Sequence, residues 1–142
     1  MVRIGNVHIG GGSSILIQSM TNTPTLDTGK TVEQCIRLFD AGAGMVRITT
    51  RNREEAENLA NIRHILRERG YHQTLCADVH FNPAVAEIAA RLVEKVRINP
   101  GNYGTGRPLS PEAYTDEICR EELENIRKNL RSLLTICREY GT

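Results

Sequence analysis

Val46-Arg47-Ile48-Thr49 and, further along the chain, Val96-Arg97-Ile98-Asn99 are apolar runs with an arginine set into each. Successive side chains of a strand point to opposite faces, so Val46, Ile48, Val96 and Ile98 share one side while Arg47, Thr49, Arg97 and Asn99 share the other. A third run, Cys76-Ala77-Asp78-Val79-His80-Phe81, repeats the alternation, with Asp78 and His80 on the polar side and Ala77, Val79 and Phe81 on the apolar side. Strands that are apolar on one face and charged on the other suit a barrel clad in helices, with a ligand in its lumen. Two arginines in such a lumen require an anion.

The surrounding segments alternate strand and helix. Val2-Arg3-Ile4, Gly5-Asn6 and Val7-His8-Ile9 predict a two-residue hairpin, because Gly-Asn tolerates the positive φ of a tight turn, and it would serve as a plug or flap ahead of the main fold. Gly10-Gly11-Gly12 reads as a flexible connector, since a phosphate loop would follow a strand, open a helix and carry Lys-Ser/Thr. A first barrel strand is expected over residues 15–20 and a helix over 32–41, with Thr31 and Gln34 spaced as a capping box and Gly42 as its stop. A strand over 45–50 and a helix over 53–69 follow, with Asn52 and Glu55 in the same cap spacing. The strand over 74–81 leads through Asn82-Pro83 into a short helix ending near residue 92. The strand over 95–99 breaks at Pro100-Gly101. After the glycine-rich loop 103–108, Ser110-Pro111 opens a long last helix. In it Cys119, Leu123, Ile126, Leu130, Leu133, Cys137 and Tyr140 recur every three or four residues as one buried stripe, and Glu121, Glu124, Arg127, Lys128 and Arg131 form a solvated face.

Sequential parallel strands with helical crossovers give a doubly wound sheet or a barrel. A doubly wound sheet is covered on both sides and reads apolar on both faces, so the one-sided charge selects the barrel. The predicted class is α/β, the first four βα units of a partial (β/α)8 TIM barrel with an N-terminal β-hairpin: hairpin 1–12, βα units 13–142. A complete barrel takes about 250 residues, and this chain of 142 stops at Gly141-Thr142, where a fifth strand would begin. The expectation is therefore half of a longer enzyme's substrate-binding domain. Its first and fourth strands would be open edges, favouring a homo-oligomer.

Composition narrows the function classes. Formal net charge is +1, so no global field marks the chain for nucleic acid or a membrane, and any binding electrostatics are local. No apolar run approaches the roughly 20 residues that span a bilayer, and the first residues lack the plan of a secretory signal, so the expected compartment is the cytoplasm. Cys35, Cys76, Cys119 and Cys137 show neither a C-x-x-C pair nor a disulfide framework, and read as small buried hydrophobes without a metal.

Arginines buried without partners are penalised by several kcal/mol, so Arg47 and Arg97 need acids or a ligand. Asp78 is expected to neutralise at most one of them. The remaining positive charge lies beside Thr49, Asn99 and Asn102 and suits a phosphorylated ligand, because guanidinium is planar and bidentate toward phosphate. An internal ion-pair layer, or arginines that bridge strand ends, is the competing reading. His80 beside Asp78 suits a general acid, a ligand-orienting donor or a metal ligand; one histidine and one aspartate do not make a metal site, and a donor to a substrate oxygen is the modest choice. His8, His64 and His72 read as incidental.

Ile4-Gly5-Asn6-Val7 with Ile9-Gly10-Gly11, Gln18-Ser19-Met20-Thr21-Asn22-Thr23, Gly42-Ala43-Gly44-Met45-Val46-Arg47, Ala77-Asp78-Val79-His80-Phe81 and Val96-Arg97-Ile98-Asn99-Pro100-Gly101-Asn102 together resemble the amino-terminal barrel of the 4-hydroxy-3-methylbut-2-enyl diphosphate synthases. The long last helix with Tyr114 and Glu117 is similar to that of the larger subtype of plants and some bacteria. The resemblance implies an oxidoreductase of the non-mevalonate isoprenoid pathway that reductively opens 2-C-methyl-D-erythritol 2,4-cyclodiphosphate with loss of water. It implies that Arg47, Arg97 and Asn99 grip the diphosphate, that Asp78 and His80 orient the substrate and that Asn102 lines the strand-end loop. It also implies a 4Fe-4S cluster, held by three cysteines and a glutamate of a carboxyl-terminal domain, and ferredoxin or flavodoxin as electron donor.

The cysteines of this chain match none of that cluster motif, so the expectation is the family's binding half rather than its catalyst, with no catalytic residue assigned. A dihydropteroate-synthase-like barrel, binding a diphosphate ester without redox chemistry, and a non-catalytic half-barrel binding module are the alternatives.

Overall fold

A computed structural model of the chain describes residues 1–104 and 115–142. Arg107, Tyr114, the Ser110-Pro111 helix start and the loop beyond Gly104 lie outside the described residues. The hairpin forms as expected, β1 (Val2–Ile4) against β2 (Val7–Ile9), with Ile4 opposite Val7 across the Gly5-Asn6 turn. Four parallel strands then pair in sequence order: β3 (Gln18–Met20), β4 (Met45–Thr50), β5 (Thr74–Val79) and β6 (Lys95–Arg97). Helices α1 (Thr28–Asp40), α2 (Arg53–Glu68), α3 (Pro83–Ala89) and α4 (Asp116–Tyr140) follow them, α4 after a 3-10 turn at Pro100–Tyr103.

Helices α1, α2 and α3 pack their apolar stripes on one face of the sheet, and α4 extends the same core by packing on α3 and the 3-10 turn. Val32, Cys35 and Phe39 of α1, Leu59, Ile62 and Leu66 of α2, Val85 and Ala89 of α3, and Leu133 and Ile136 of α4 form one cluster with Val46, Ile48, Leu75, Ala77 and Val79. The strand residues in this cluster alternate with Arg47, Thr49, Cys76 and Asp78, which therefore project from the opposite face. Sequential order with helices on a single face is the partial TIM barrel expected from the sequence.

Several boundaries move, for physical reasons. The strand expected over 15–20 begins only at Gln18, because the ladder with β4 starts at the Gln18–Met45 pair; Ile15 and Ile17 lie upstream and exposed. Helix α1 starts earlier than residue 32: Asp27 is its cap, accepting from the Lys30 amide at 3.1 Å. Thr31 therefore sits inside the helix, and Gln34 instead clamps the preceding loop through the Asn22 and Thr23 amides at 3.0 and 3.2 Å. Asn52 caps α2 as expected, but Glu55 accepts from the Arg51 amide rather than from Asn52, so the capping box is incomplete. Helix α3 ends at Ala89 rather than near 92, and β6 ends at Arg97 rather than 99, because Asn99 turns to cap the 3-10 helix through the Gly101 amide.

The stripe of α4 is half right. Of its members Leu133 is buried and Ile126, Leu130 and Cys137 partly so, whereas Cys119, Leu123 and Tyr140 are exposed, and the second buried residue is Ile136, which the stripe did not include. Contacts with α3 and the 3-10 turn fall on the carboxyl-terminal part of the helix, where Asn129 donates to Tyr103 O and Arg91 lies over the Tyr140 ring. Phe81 is the sharpest departure: it was expected on the apolar face and is instead 80% exposed at φ 62. The hairpin packs at the amino end of β5, where Thr74 Oγ donates to Asn6 Oδ1 at 2.9 Å.

Candidate functional site

The polar face of the sheet is organised by its parallel register. Thr49, Asp78 and Arg97 lie side by side across β4, β5 and β6, and Arg47, Cys76 and Lys95 form the row beneath them. The upper row stands at the carboxyl ends of the strands, where barrels of this kind place ligands. Asp78 is the centre of the arrangement. Its Oδ2 forms an ion pair with Arg47 Nη2 at 3.2 Å and faces His80 Nε2 at 3.2 Å, and its Oδ1 accepts a hydrogen bond from Arg97 Nη1 at 3.3 Å. One carboxylate thus bridges both arginines instead of neutralising one of them.

Exposure separates the partners. The Asp78 side chain is 2% exposed, against 32% for Arg47 and 48% for Arg97. The anion is buried while both guanidinium groups stay open to a ligand. Arg47 Nε is buried with no hydrogen-bond partner, an unsatisfied donor of the kind that functional sites tolerate.

Lys95 is the site residue that sequence reasoning missed. The alternation that set Arg97 on the polar face also sets Lys95 there, and its Nζ lies 4.0 Å from Met45 Sδ across the lumen. Burial pushes the neighbouring Cys76 thiol up to about 11, against the opposing pull of Lys95 and Arg47. Among the described residues of this face, three permanent or near-permanent cations thus confront one carboxylate.

Asn99 and Asn102 stand apart from this contact group. They line, with Phe81, Asn82 and Tyr103, a crevice too narrow to admit a water molecule, and the Asn99 oxygen is engaged by its own turn. Beside Thr49 an open cleft of about 560 Å³ lies between the ends of β3 and β4, lined by Thr21, Thr23, Thr25 and Arg51 among others. Arg51 is held there by Glu55, whose carboxylate is 1% exposed. Burial pushes the Glu55 carboxyl upward, but the Arg51 guanidinium and amide outweigh it and hold it below the ordinary value of 4.5. A larger cleft, about 760 Å³, lies beside the hairpin, and His8 is its single titratable side chain. It is remote in character from the charged row and offers no comparable chemistry.

The family model described as the GcpE TIM-barrel domain matches residues 1–142. The chain belongs to the GcpE TIM-barrel family. It is 53% identical over 142 residues to a protein of Phocaeicola vulgatus named 4-hydroxy-3-methylbut-2-en-1-yl diphosphate synthase (flavodoxin), covering 99% of this chain and 23% of the relative. A protein of the same name from Bacteroides fragilis is 54% identical, with the same coverage. One from Chlorobaculum tepidum is 42% identical over 140 residues, covering 99% of this chain and 19% of the relative. The chain therefore spans about a quarter or less of the length of these relatives. The resemblance read from the sequence motifs is borne out, and it displaces the dihydropteroate-synthase-like alternative at the level of family.

The iron-sulfur group implied by that resemblance can be tested against the residues present. Cys35 is buried under α1, Cys76 is buried in the lumen, Cys119 is exposed and Cys137 lies half-buried on α4. Among the described residues no three histidine, cysteine, aspartate or glutamate side chains converge as a metal-holding group. These residues do not fit a 4Fe-4S cluster, and no reaction step is assigned to one here. Among the described residues, no helix is long and apolar enough to cross a membrane.

Proposed function

We propose that this chain is the substrate-binding first half of the barrel of a 4-hydroxy-3-methylbut-2-enyl diphosphate synthase, an oxidoreductase acting on 2-C-methyl-D-erythritol 2,4-cyclodiphosphate. In this reading hairpin 1–12 and βα units 13–142 make up one substrate-binding unit. Arg47, Arg97 and Asn99 grip the diphosphate, Asp78 and His80 orient the substrate, and Asn102 lines the loop at the mouth. The reduction belongs to a cluster-bearing part of the longer protein. The electron donor is ferredoxin or flavodoxin, the names of the relatives favouring flavodoxin, and the assembly is a cytoplasmic homo-oligomer.

The observation that carries this reading is the buried Asp78 carboxylate bridging two arginines that remain open to solvent. A carboxylate with one negative charge leaves surplus positive charge on the row, and Lys95 beneath adds to it. A diphosphate would take the open guanidinium forks through charge-assisted bonds, which are shorter and stronger than neutral ones. Asp78 meanwhile fixes the direction of both forks, so the ligand meets donors already aimed. His80, tied to the same carboxylate, presents its ring at the rim of the row.

The test belongs in the longer protein that carries this chain. Cyclodiphosphate affinity is measured for Arg47→Ala, Arg97→Ala and the matching lysine variants, beside thermal stability without ligand. Each loss of a charge-assisted bond of about 1.5 to 3 kcal/mol should weaken binding roughly ten- to a hundredfold. Lysine should restore only part, because it lacks the bidentate fork. Lowered stability with affinity falling only in proportion would instead identify a structural ion-pair layer and defeat the assignment.

A further inference from the structure

Phe81 occupies a conformation that a phenylalanine adopts only at a cost. Its φ is 62, and it is the single non-glycine residue with positive φ among those described. The Asn82 amide donates to His80 O across it at 2.8 Å, closing a three-residue turn of the strained, positive-φ type. Glycine would accept this turn freely, whereas a side chain bearing Cβ does not.

The usual reason to accept such strain is burial of the ring, and among the described residues the Phe81 ring is 80% exposed. Its recorded ring contact is with the neighbouring imidazole: the His80 and Phe81 centroids lie 5.9 Å apart at 72°, an edge-to-face pair. His80 has left the regular strand, its amide reaching Thr50 O at only 3.4 Å. Its side chain is fixed by the Asp78 carboxylate from one direction and by the Phe81 ring from another. Strained residues of this kind cluster at functional sites, and among the described residues the ring contact of this one is with a side chain of the charged row.

We propose that Phe81 is a positioning residue of the anion site, its strained turn holding the ring against His80 so that the imidazole stays locked onto Asp78 and thereby onto the Arg47–Arg97 pair. The inference rests on the substrate-site reading above. It extends that site by one residue that touches no charged group itself. It also gives the crevice shared by Phe81, Asn99 and Asn102 a role, since the same turn sets the wall between the ends of β5 and β6.

The test compares Phe81→Ala, Phe81→Gly and Phe81→Tyr in the longer protein, with three readouts: cyclodiphosphate affinity, the rate at which diethyl pyrocarbonate modifies His80 as mapped by mass spectrometry, and the melting midpoint. Alanine and glycine both remove the ring, but only glycine releases the backbone strain. Both should weaken affinity three- to tenfold and speed His80 modification several-fold, and tyrosine should restore both. The glycine variant should nonetheless melt at or above the alanine variant, the reverse of their ordinary order. Wild-type affinity and His80 reactivity in the alanine and glycine variants would overturn the proposal, as would an affinity loss that tracks the melting points. If the unaltered protein fails to bind cyclodiphosphate, the substrate reading fails, while the modification rates still decide whether Phe81 holds His80.

Discussion

Replacing Asp78 by asparagine isolates the one anion on which the charged row depends. Asparagine has nearly the same shape, but whichever way its amide turns, one arginine loses its acceptor and faces an N–H group instead. The contacts at stake are the ion pair of Arg47 with Oδ2 at 3.2 Å and the hydrogen bond from Arg97 to Oδ1 at 3.3 Å. Truncating one partner of a buried pair typically costs about 3 to 5 kcal/mol. The arginines here are one-third to one-half exposed, so water takes over part of the lost partner, and the expected loss of stability falls to about 2 kcal/mol. The sign for an anionic ligand is opposite. Removing a negative charge beside the forks relieves a repulsion worth about 1 kcal/mol for unit charges roughly 4 Å apart in water-like surroundings, against which stands the loss of the aim that Asp78 gives the forks, so inorganic pyrophosphate should bind up to about fivefold tighter, with a gain that shrinks as salt rises. Denaturant unfolding of the ligand-free protein and pyrophosphate titration at two ionic strengths measure both quantities. Unchanged stability, or a pyrophosphate affinity that the substitution leaves unaltered at both ionic strengths, would refute the picture of one carboxylate restraining two ligand-facing arginines.

Three further outcomes follow from the surroundings of that row. Burial raises the Cys35 thiol to about 12 and the Cys76 thiol to about 11, so a thiol reagent near neutral pH should modify exposed Cys119 first and reach Cys35 and Cys76 only after unfolding; rapid native labelling of Cys76 would contradict its placement. Because the Glu55 carboxyl is held below 4.5 in the folded state, the stability it contributes is present above that value and lost as pH falls through the lower folded value, so Glu55→Gln should flatten the acid limb of the stability profile; an unchanged limb would show that Arg51 does not hold it. Gly5 sits at φ 55, and an added Cβ would meet Glu94 Cγ at 2.9 Å, so Gly5→Ala should cost about 1 kcal/mol and raise proteolysis of the hairpin; an equally resistant hairpin would count against its docking on β5.

What could be read from the sequence depended on how completely each segment's neighbours are encoded locally. Met45–Thr50 was read to the residue because an interior strand with helices on one side and a lumen on the other must alternate, and its own residues report both sides. The same alternation places Arg47, Asp78 and Arg97 on one face of neighbouring strands, where their contacts form. It fails where the chain stops being a strand. Ile15 and Ile17 look like strand residues, but pairing begins only where β4 is available at Gln18. Thr31 competes as a cap with Asp27, and only the loop from Thr21 to Asp27, with Gln34 bonded into it, decides between them. A helical stripe shows which face is apolar and not what covers it, so Cys119 and Leu123 were assigned a burial that the described neighbours of α4 do not provide.

The two misreadings at the site have one cause, and it bears on how the site works. Lys95 was read as the start of a strand and Phe81 as its end, because periodicity treats strand termini as boundaries rather than as places where function is set. At the lower end Lys95 adds a cation without a carboxylate partner among the contacts described, so the row beneath Asp78 repels any further positive group and favours an anion entering from the mouth. At the upper end Phe81 departs from alternation, and the departure turns its ring out of the core and onto His80. The regular part of β5 supplies Asp78 at a fixed height, and the irregular residues after it decide how the imidazole meets that carboxylate. A barrel strand can thus keep its buried face invariant in pattern while the two or three residues past its end define the ligand site, which is why the fold was legible from alternation and the fine geometry of the site was not.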